Sequence, residues 1–326
     1  MDAFMNSLAR PTIVVSKCLE FAPCRYNGLM VSSDVVKALT PFVNFIPVCP
    51  EVEIGLGVPR DPIRVASGSG GLRLLQPSTG ADVTERMTRF AASFLDGLPT
   101  VDGFLLKSRS PSCGMRDVKV FRGIEKEAAV GKGSGFFGSA VVERFPGYPA
   151  EDEGRLMNFR IREHFLTSLY ALTRFREAQG GLAMRDLVDY QARSKLLLMS
   201  YSQKEMRILG AIVANKEKKS PPVIFYEYEA HLRAALAKPP KYASNVNVLM
   251  HALGYFKDGL TPPEKAHFIA SLEKYRAGKI PLSAAVAIVN SWLARFGGDY
   301  LKQQTFFEPY PEALVEITDS GKGRDL

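Results

Sequence analysis

Residues 1–150 of this 326-residue chain read as an α/β domain with a mostly parallel sheet, and residues 155–320 as an all-α helical bundle. Three observations carry that division. In the first part short apolar runs alternate with helical stretches, the pattern of a parallel sheet with crossover helices. A turn-rich stretch, Phe145-Pro146-Gly147-Tyr148-Pro149 followed by Glu151-Asp152-Glu153-Gly154, then breaks the texture. Beyond it, apolar residues recur at helical spacing only. The length agrees, at about 150 residues per domain.

Taken in order, strand-like runs lie at 12–15, 45–48, 72–75 and 103–106, and helices at 33–39 and 83–95. Asp82 is placed to cap the second helix, with Glu85 three residues on. Gly131-Lys132-Gly133-Ser134-Gly135 reads as a flexible loop; it lacks the Gly-Lys-Ser/Thr ending of a phosphate cradle. In the second part helices are predicted over 159–177, 182–200, 203–215, 223–237, 246–257, 262–277 and 282–296, separated by Pro and Gly. They suit a compact bundle.

An apolar content of 46% is ordinary for a globular chain. No apolar run approaches the roughly 18 residues of a membrane span, and Met1 to Arg10 lacks the long apolar region of a secretory signal. These features point to a cytosolic (cytoplasmic) protein without a membrane partner. In that compartment clustered cysteines more often bind metal or catalyse than form disulfides. The net charge of +8 is unevenly placed: residues 1–154 hold 17 Lys+Arg against 17 Asp+Glu, and residues 155–326 hold 25 against 17. Such asymmetry hints at a polyanionic partner of the helical half.

All four cysteines, Cys18, Cys24, Cys49 and Cys113, fall in the first 113 residues. Cys18, Cys49 and Cys113 each follow a predicted buried strand. In an open α/β sheet the strand carboxyl ends meet at one ligand-binding edge, so three thiols gathered there suit a soft metal with an open position. The long, irregular spacings exclude a zinc-ribbon pattern. Cys24 lies instead at the start of a turn, before Asn27-Gly28.

The words around these cysteines are Val15-Ser16-Lys17-Cys18-Leu19, Cys24-Arg25-Tyr26-Asn27-Gly28, Val48-Cys49-Pro50-Glu51-Val52 and Ser110-Pro111-Ser112-Cys113-Gly114. With Gly55 to Arg60 and Gly80 to Thr84, they occur in the order of the thiouracil desulfidase signature, and residues 11–150 resemble that family. The helical half resembles, in layout, the extra domain of its two-domain members, which look like tRNA 4-thiouridine desulfidases. The resemblance implies a [4Fe-4S] cluster held by Cys18, Cys49 and Cys113, with one iron left free of protein ligands. Cys24 remains an alternative third or fourth ligand. The implied reaction is a non-redox, hydrolytic desulfuration of 4-thiouridine in tRNA to uridine and sulfide. Glu51 would act in it as general base, and Ser110 would bind the pyrimidine or orient water, with Ser112 as its rival.

Plainer roles stand beside these. Glu51 could cap a helix after Pro50, Ser110-Pro111-Ser112 could be only a turn, and Arg25, Arg60 and Arg109 could pair with Asp34, Asp61 or Asp82. In the helical half, cations at Arg160/Arg162, Arg174/Arg176, Arg193/Lys195, Lys216/Lys218/Lys219 and Lys238/Lys241 suit phosphates, and Tyr226, Tyr228, Tyr242 and Tyr255 suit base stacking. The competing use is plainer, with the lysines on solvated faces and the tyrosines half-buried in the bundle. The four histidines lack ligand spacing. Two other functions stay open: desulfuration of free thiouracil or thionucleosides, and a non-enzymatic metal-binding module for RNA or protein.

Overall fold

The computed structural model describes residues 10–68, 70–124 and 128–316; the ends of the two predicted domains, at 1–9 and 317–320, lie outside them. The described chain divides into two compact units, residues 10–165 and 166–316.

Among the described residues the first unit holds nine strands: β1 (Thr12–Ser16), β2 (Asn44–Val48), β3 (Arg64–Gly68), β4 (Gly71–Gln76), β5 (Ala81–Asp82), β6 (Gly103–Leu106), β7 (Val118–Phe121), β8 (Gly131–Gly133) and β9 (Ala150–Asp152). Its helices are α1 (Asp34–Leu39), α2 (Pro50–Glu53), α3 (Thr84–Asp96) and α4 (Phe136–Arg144). One sheet runs β2-β1-β6-β9 and is parallel throughout, with Val14 opposite both Ile46 and Phe104. Ile13, Val14 and Val15 are fully buried, as expected of a central strand covered on both faces. The second sheet runs β5-β4-β3-β7-β8 and is mixed. One apolar core joins Val14, Phe104 and Leu106 to Val65 and Leu74 of the second sheet and to Met87 and Phe137 of the helices.

Several local expectations change. The run at 72–75 is β4, a hairpin strand of the mixed sheet and not a member of the parallel one; Leu74 and Gln76 are buried on one face while Leu75 between them is only partly covered, the alternation of a half-covered strand. Residues 131–135 are not a loop: β8 pairs with β7, and Gly135 is the N-cap of α4. The turn-rich segment at 145–154 carries β9, the fourth strand of the parallel sheet. Val83 occupies the N-cap of α3, and Asp82 accepts from the Thr84 amide at 2.9 Å from one residue further back.

The long helix α5 (Phe159–Gln179) runs from the first unit into the second. There follow α6 (Met184–Tyr201), α7 (Gln203–Ala214), α8 (Pro221–Ala235), α9 (Tyr242–Tyr255), α10 (Pro262–Arg276), α11 (Leu282–Phe296) and the short α12 (Asp299–Lys302). Their buried faces form one core around Phe175, Phe225, Tyr228, Phe268 and Trp292. Pro221 and Pro262 open α8 and α10 at first-turn positions, where no intrahelical N–H is lost. Among the described residues no helix is long and apolar enough to cross a membrane.

Candidate metal centre and cavity

Because β1, β2 and β6 are parallel neighbours, their carboxyl ends reach the same sheet edge. A cavity of about 410 Å³ opens in the first unit, lined by all four cysteines together with Glu51 and Arg60. Cys18 is half-buried in the turn leaving β1, and Cys49 sits between β2 and Pro50 as the N-cap of α2. Cys113 is buried in the turn at 111–113.

The Cys113 turn is clamped by the start of α4. Amides of Gly135, Phe136 and Gly138 donate to the carbonyls of Gly114 (2.6 Å), Pro111 (3.2 Å) and Ser112 (3.0 Å). Backbones approach this closely only without side chains. A Cβ on Gly135 would lie 2.5 Å from the Ser112 carbonyl oxygen, and one on Gly138 2.6 Å from that of Cys113.

The thiols share one electrostatic environment. Burial pushes Cys18 up to about 11, with Cys49 raising it further and Lys107 opposing. Burial pushes Cys24 up to about 12, reinforced by Cys49 through its charge and a side-chain hydrogen bond. Burial also raises Cys113, against a hydrogen bond with Ser16, and Cys18 and Cys49 add to the rise. Thiols kept protonated chiefly by burial ionise more readily beside a strong positive charge, which a metal centre supplies. Among the described residues no three Cys, His, Asp or Glu side chains stand close enough to share a single ion. Four soft sulfur donors lining one cavity suit a thiophilic metal or an iron–sulfur centre.

Beside the thiols runs a polar chain. Ser112 Oγ donates to Glu51 Oε1 at 2.6 Å and lies 2.9 Å from Ser110 Oγ. A hydroxyl carries one proton; with that of Ser112 directed at Glu51, Ser110 is the donor in the serine pair. Ser110 Oγ also accepts from the amides of Ser112 (3.3 Å) and Cys113 (3.1 Å). Glu51, 8% exposed, completes its contacts through Oε2, which takes Arg60 Nε at 2.8 Å and Nη2 at 2.6 Å.

Arg60 thus pairs with Glu51 and not Asp61; Asp82 pairs with Arg73 and Asp34 with Lys37. Glu51 is in the first turn of α2 but does not cap it. Arg25 lies over the exposed Tyr26 ring, 5.6 Å from its centroid, and Arg109 lines the same cavity in a left-handed conformation, φ 57°. Lys107 is held by Glu153. The Arg60–Glu51 pair, Ser16 and the α4 glycines were not singled out as site residues from sequence. The Gly-rich run ending at Gly135, with Gly138 a turn further on, was the readable sign of a close backbone approach.

In the second unit, several predicted cations have structural partners. Arg174 donates to the Glu308 and Pro309 carbonyls, Arg193 pairs with Asp189, and Lys219 with Glu217 and Glu227. In the first unit, buried Arg162 donates to the Leu156 carbonyl. Exposed Lys216, Lys218, Lys238 and Lys241 have no carboxylate partner among the described residues. Tyr228 is core and Tyr242 packs on Tyr275, whereas Tyr226 and Tyr255 are 75% and 61% exposed.

Comparison with known proteins decides the family. The 2-thiouracil desulfurase family matches residues 13–153, the whole of the cavity included. The amino-terminal half belongs to the 2-thiouracil desulfurase family. A second family, a protein of unknown function (DUF1722), matches residues 195–311 of the helical half. Among curated relatives, the uncharacterised protein YbgA of Escherichia coli (strain K12) is 31% identical over 155 residues, covering 47% of this chain and 90% of YbgA. The uncharacterised protein YbbK of Bacillus subtilis (strain 168) is 34% identical over 109 residues, covering 31% of this chain and 72% of YbbK. A solved [4Fe-4S]-dependent thiouracil desulfidase, TudS, is 30% identical over 45% of this chain and 93% of its own, with a TM-score of 0.36. The desulfurase half of the chain is therefore the one that carries the thiols, Glu51 and both serines.

Proposed function

We propose that this desulfurase half binds a [4Fe-4S] cluster through Cys18, Cys49 and Cys113, and that the whole chain removes sulfur from 4-thiouridine in tRNA. The observation that carries the reading is the meeting of four thiols and the Ser110–Ser112–Glu51 chain on one cavity. When bound, such a cluster offers an iron without a protein ligand to a soft thiocarbonyl sulfur and draws charge from the C–S bond.

The chain's own groups supply the proton chemistry. Ionised Glu51 holds the Ser112 proton, and Ser112 holds that of Ser110, so both hydroxyls point along the chain toward the carboxylate. A proton taken up at Ser110 Oγ, in place of the long 3.3 Å contact from the Ser112 amide, is relayed by Ser110 to Ser112 and by Ser112 to Glu51, one proton moving at each hydroxyl. Arg60 balances the carboxylate charge throughout. Ser110 is therefore the group that meets water or the pyrimidine, and Glu51 is the end of the relay.

Support for a polynucleotide substrate comes from the helical half. It carries the whole charge excess, Lys216, Lys218, Lys238 and Lys241 without carboxylate partners among the described residues, the exposed Tyr226, and the exposed Tyr255 stacked on Tyr300. Lysines track phosphates and exposed aromatic rings stack on unpaired bases. The substrate in the family's name, 2-thiouracil, favours the second reading, a free thiolated base or nucleoside.

Sulfide release by the anaerobically reconstituted chain, measured in parallel on thiolated tRNA, 4-thiouridine and 2-thiouracil, tests the proposal. Preference for tRNA that declines steeply with salt supports it; equal, salt-insensitive turnover of the free compounds favours the second reading. Near-normal turnover by Glu51→Ala removes Glu51 from the mechanism.

A further inference from the structure

Arg60 has the best-anchored side chain on the cavity wall, and charge balance alone does not use what it does. Its side chain is 3% exposed. Nε and Nη2 both grip Glu51 Oε2, leaving Oε1 to Ser112. Nη1 donates to the Cys24 carbonyl at 3.0 Å and the Gly57 carbonyl at 2.9 Å, and the Arg60 amide donates to the Tyr26 carbonyl at 2.8 Å. The Cys49 thiol lies 3.7 Å from the same Cys24 carbonyl. One guanidinium therefore joins α2, which carries Glu51, to the loop that carries Cys24 and Tyr26.

We propose that Arg60 is the positioning residue of the site: it fixes the Glu51 carboxylate so that Oε1 faces Ser112, and it pins the Cys24–Tyr26 loop to the cavity. A planar guanidinium presents donors in fixed, divergent directions, so it can hold a carboxylate on one side and carbonyls on the other. A lysine ammonium in its place offers three donors at one point and cannot span both. Without the grip on Oε2, the carboxylate turns about its terminal bond and the relay from Ser112 loses its acceptor geometry. Positioning of this kind acts on the reacting complex, so its loss lowers turnover more than substrate binding.

The inference rests on the desulfidase reading only for its kinetic arm; a second arm needs no activity. Arg60→Gln and Arg60→Lys are compared with the unaltered chain for iron and sulfide content, for kcat and KM on 4-thiouridine, and, in the iron-free protein, for the alkylation rate of each cysteine by iodoacetamide read by peptide mass spectrometry. Both variants should keep the cluster, lose at least tenfold in kcat with KM within twofold, and alkylate Cys24 at least tenfold faster while Cys113 is unchanged. Arg60→Gln added to Glu51→Gln should cost no more than Glu51→Gln alone, because Arg60 acts through Glu51. The inference is overturned by wild-type kcat in Arg60→Gln, by full restoration in Arg60→Lys, by losses that multiply with Glu51→Gln, or by loss of iron from both variants. An unaltered chain that releases no sulfide refutes the desulfidase reading instead. In that case Cys24 alkylation alone decides Arg60's grip, and an unchanged rate overturns it.

Discussion

Replacing Ser112 by Ala cuts the polar chain at its middle. Ser112 is 1% exposed, and its hydroxyl donates to Glu51 Oε1 at 2.6 Å and lies 2.9 Å from Ser110 Oγ. Its removal deletes a hydrogen bond to a charged group and leaves a buried carboxylate oxygen without its donor. Such losses cost about 1.5–3 kcal/mol, and a value near 2 kcal/mol corresponds to about a 30-fold change in the folding equilibrium of the first unit. Native-state hydrogen exchange is the assay, since it reads opening free energies element by element. The amides of β1 should lose about 2 kcal/mol of protection while those of α8, in the other unit, stay unchanged. Turnover should also fall at least tenfold, because no group then joins Ser110 to Glu51. A change below about 0.5 kcal/mol in β1, the range of an ordinary surface substitution, or an equal loss in α8, would refute the reasoning.

Gly138→Ala sets two effects against each other: alanine is the better helix former by about 1 kcal/mol, but its Cβ would meet the Cys113 carbonyl at 2.6 Å. Overpacking of this kind costs about 1–3 kcal/mol, so the variant should be less stable and release iron faster; a raised melting temperature would show that the clamp is absent. Serine at Cys18, Cys49 or Cys113 should each abolish iron retention after anaerobic reconstitution, whereas Cys24→Ser should retain it, as colorimetric iron content will show. In the iron-free protein, burial raises Cys18 and Cys24 from 9.0 to about 11 and about 12 and raises Cys113 as well. Because these folded values exceed the unfolded one, their contribution is complete below pH 9 and is lost as pH rises through 11 to 12. Urea midpoints should accordingly fall between pH 8.5 and pH 11, and the fall should shrink in Cys113→Ser.

How much of this was readable in the chain depends on what each signal encodes. The fully apolar runs of β1 and β6 announce central parallel strands because both faces are covered. Residues placed just beyond such strands then meet at one edge, so the convergence of Cys18, Cys49 and Cys113 follows from topology. Helices of the second unit were legible because a 3.6-residue period survives over long stretches; α11 matches the predicted 282–296 at both ends. The mixed sheet was not. β5, β8 and β9 have two or three residues each, too few to show a period, and β8 consists of Gly131-Lys132-Gly133, which carries turn chemistry. Residues 145–154 look like a linker for the same reason, although β9 within them extends the parallel sheet. In the site, Glu51 stands two residues from Cys49 and Ser110 three from Cys113, near enough that both could be nominated from sequence. Their connection could not, since it runs through Ser112 and ends on Arg60, whose partner is set by where the turn after α2 brings it. The glycines at 135 and 138 reveal their purpose only when the carbonyls of Ser112 and Cys113 are seen against them.

Metal analysis of the anaerobically reconstituted chain, beside its Cys18→Ser, Cys49→Ser and Cys113→Ser variants, tests the central claim most directly. The unaltered chain should carry about four iron and four sulfide, with broad visible absorption, and each of the three variants should lose them. A colourless protein holding one zinc, or a full complement of iron in any of the three variants, would contradict it.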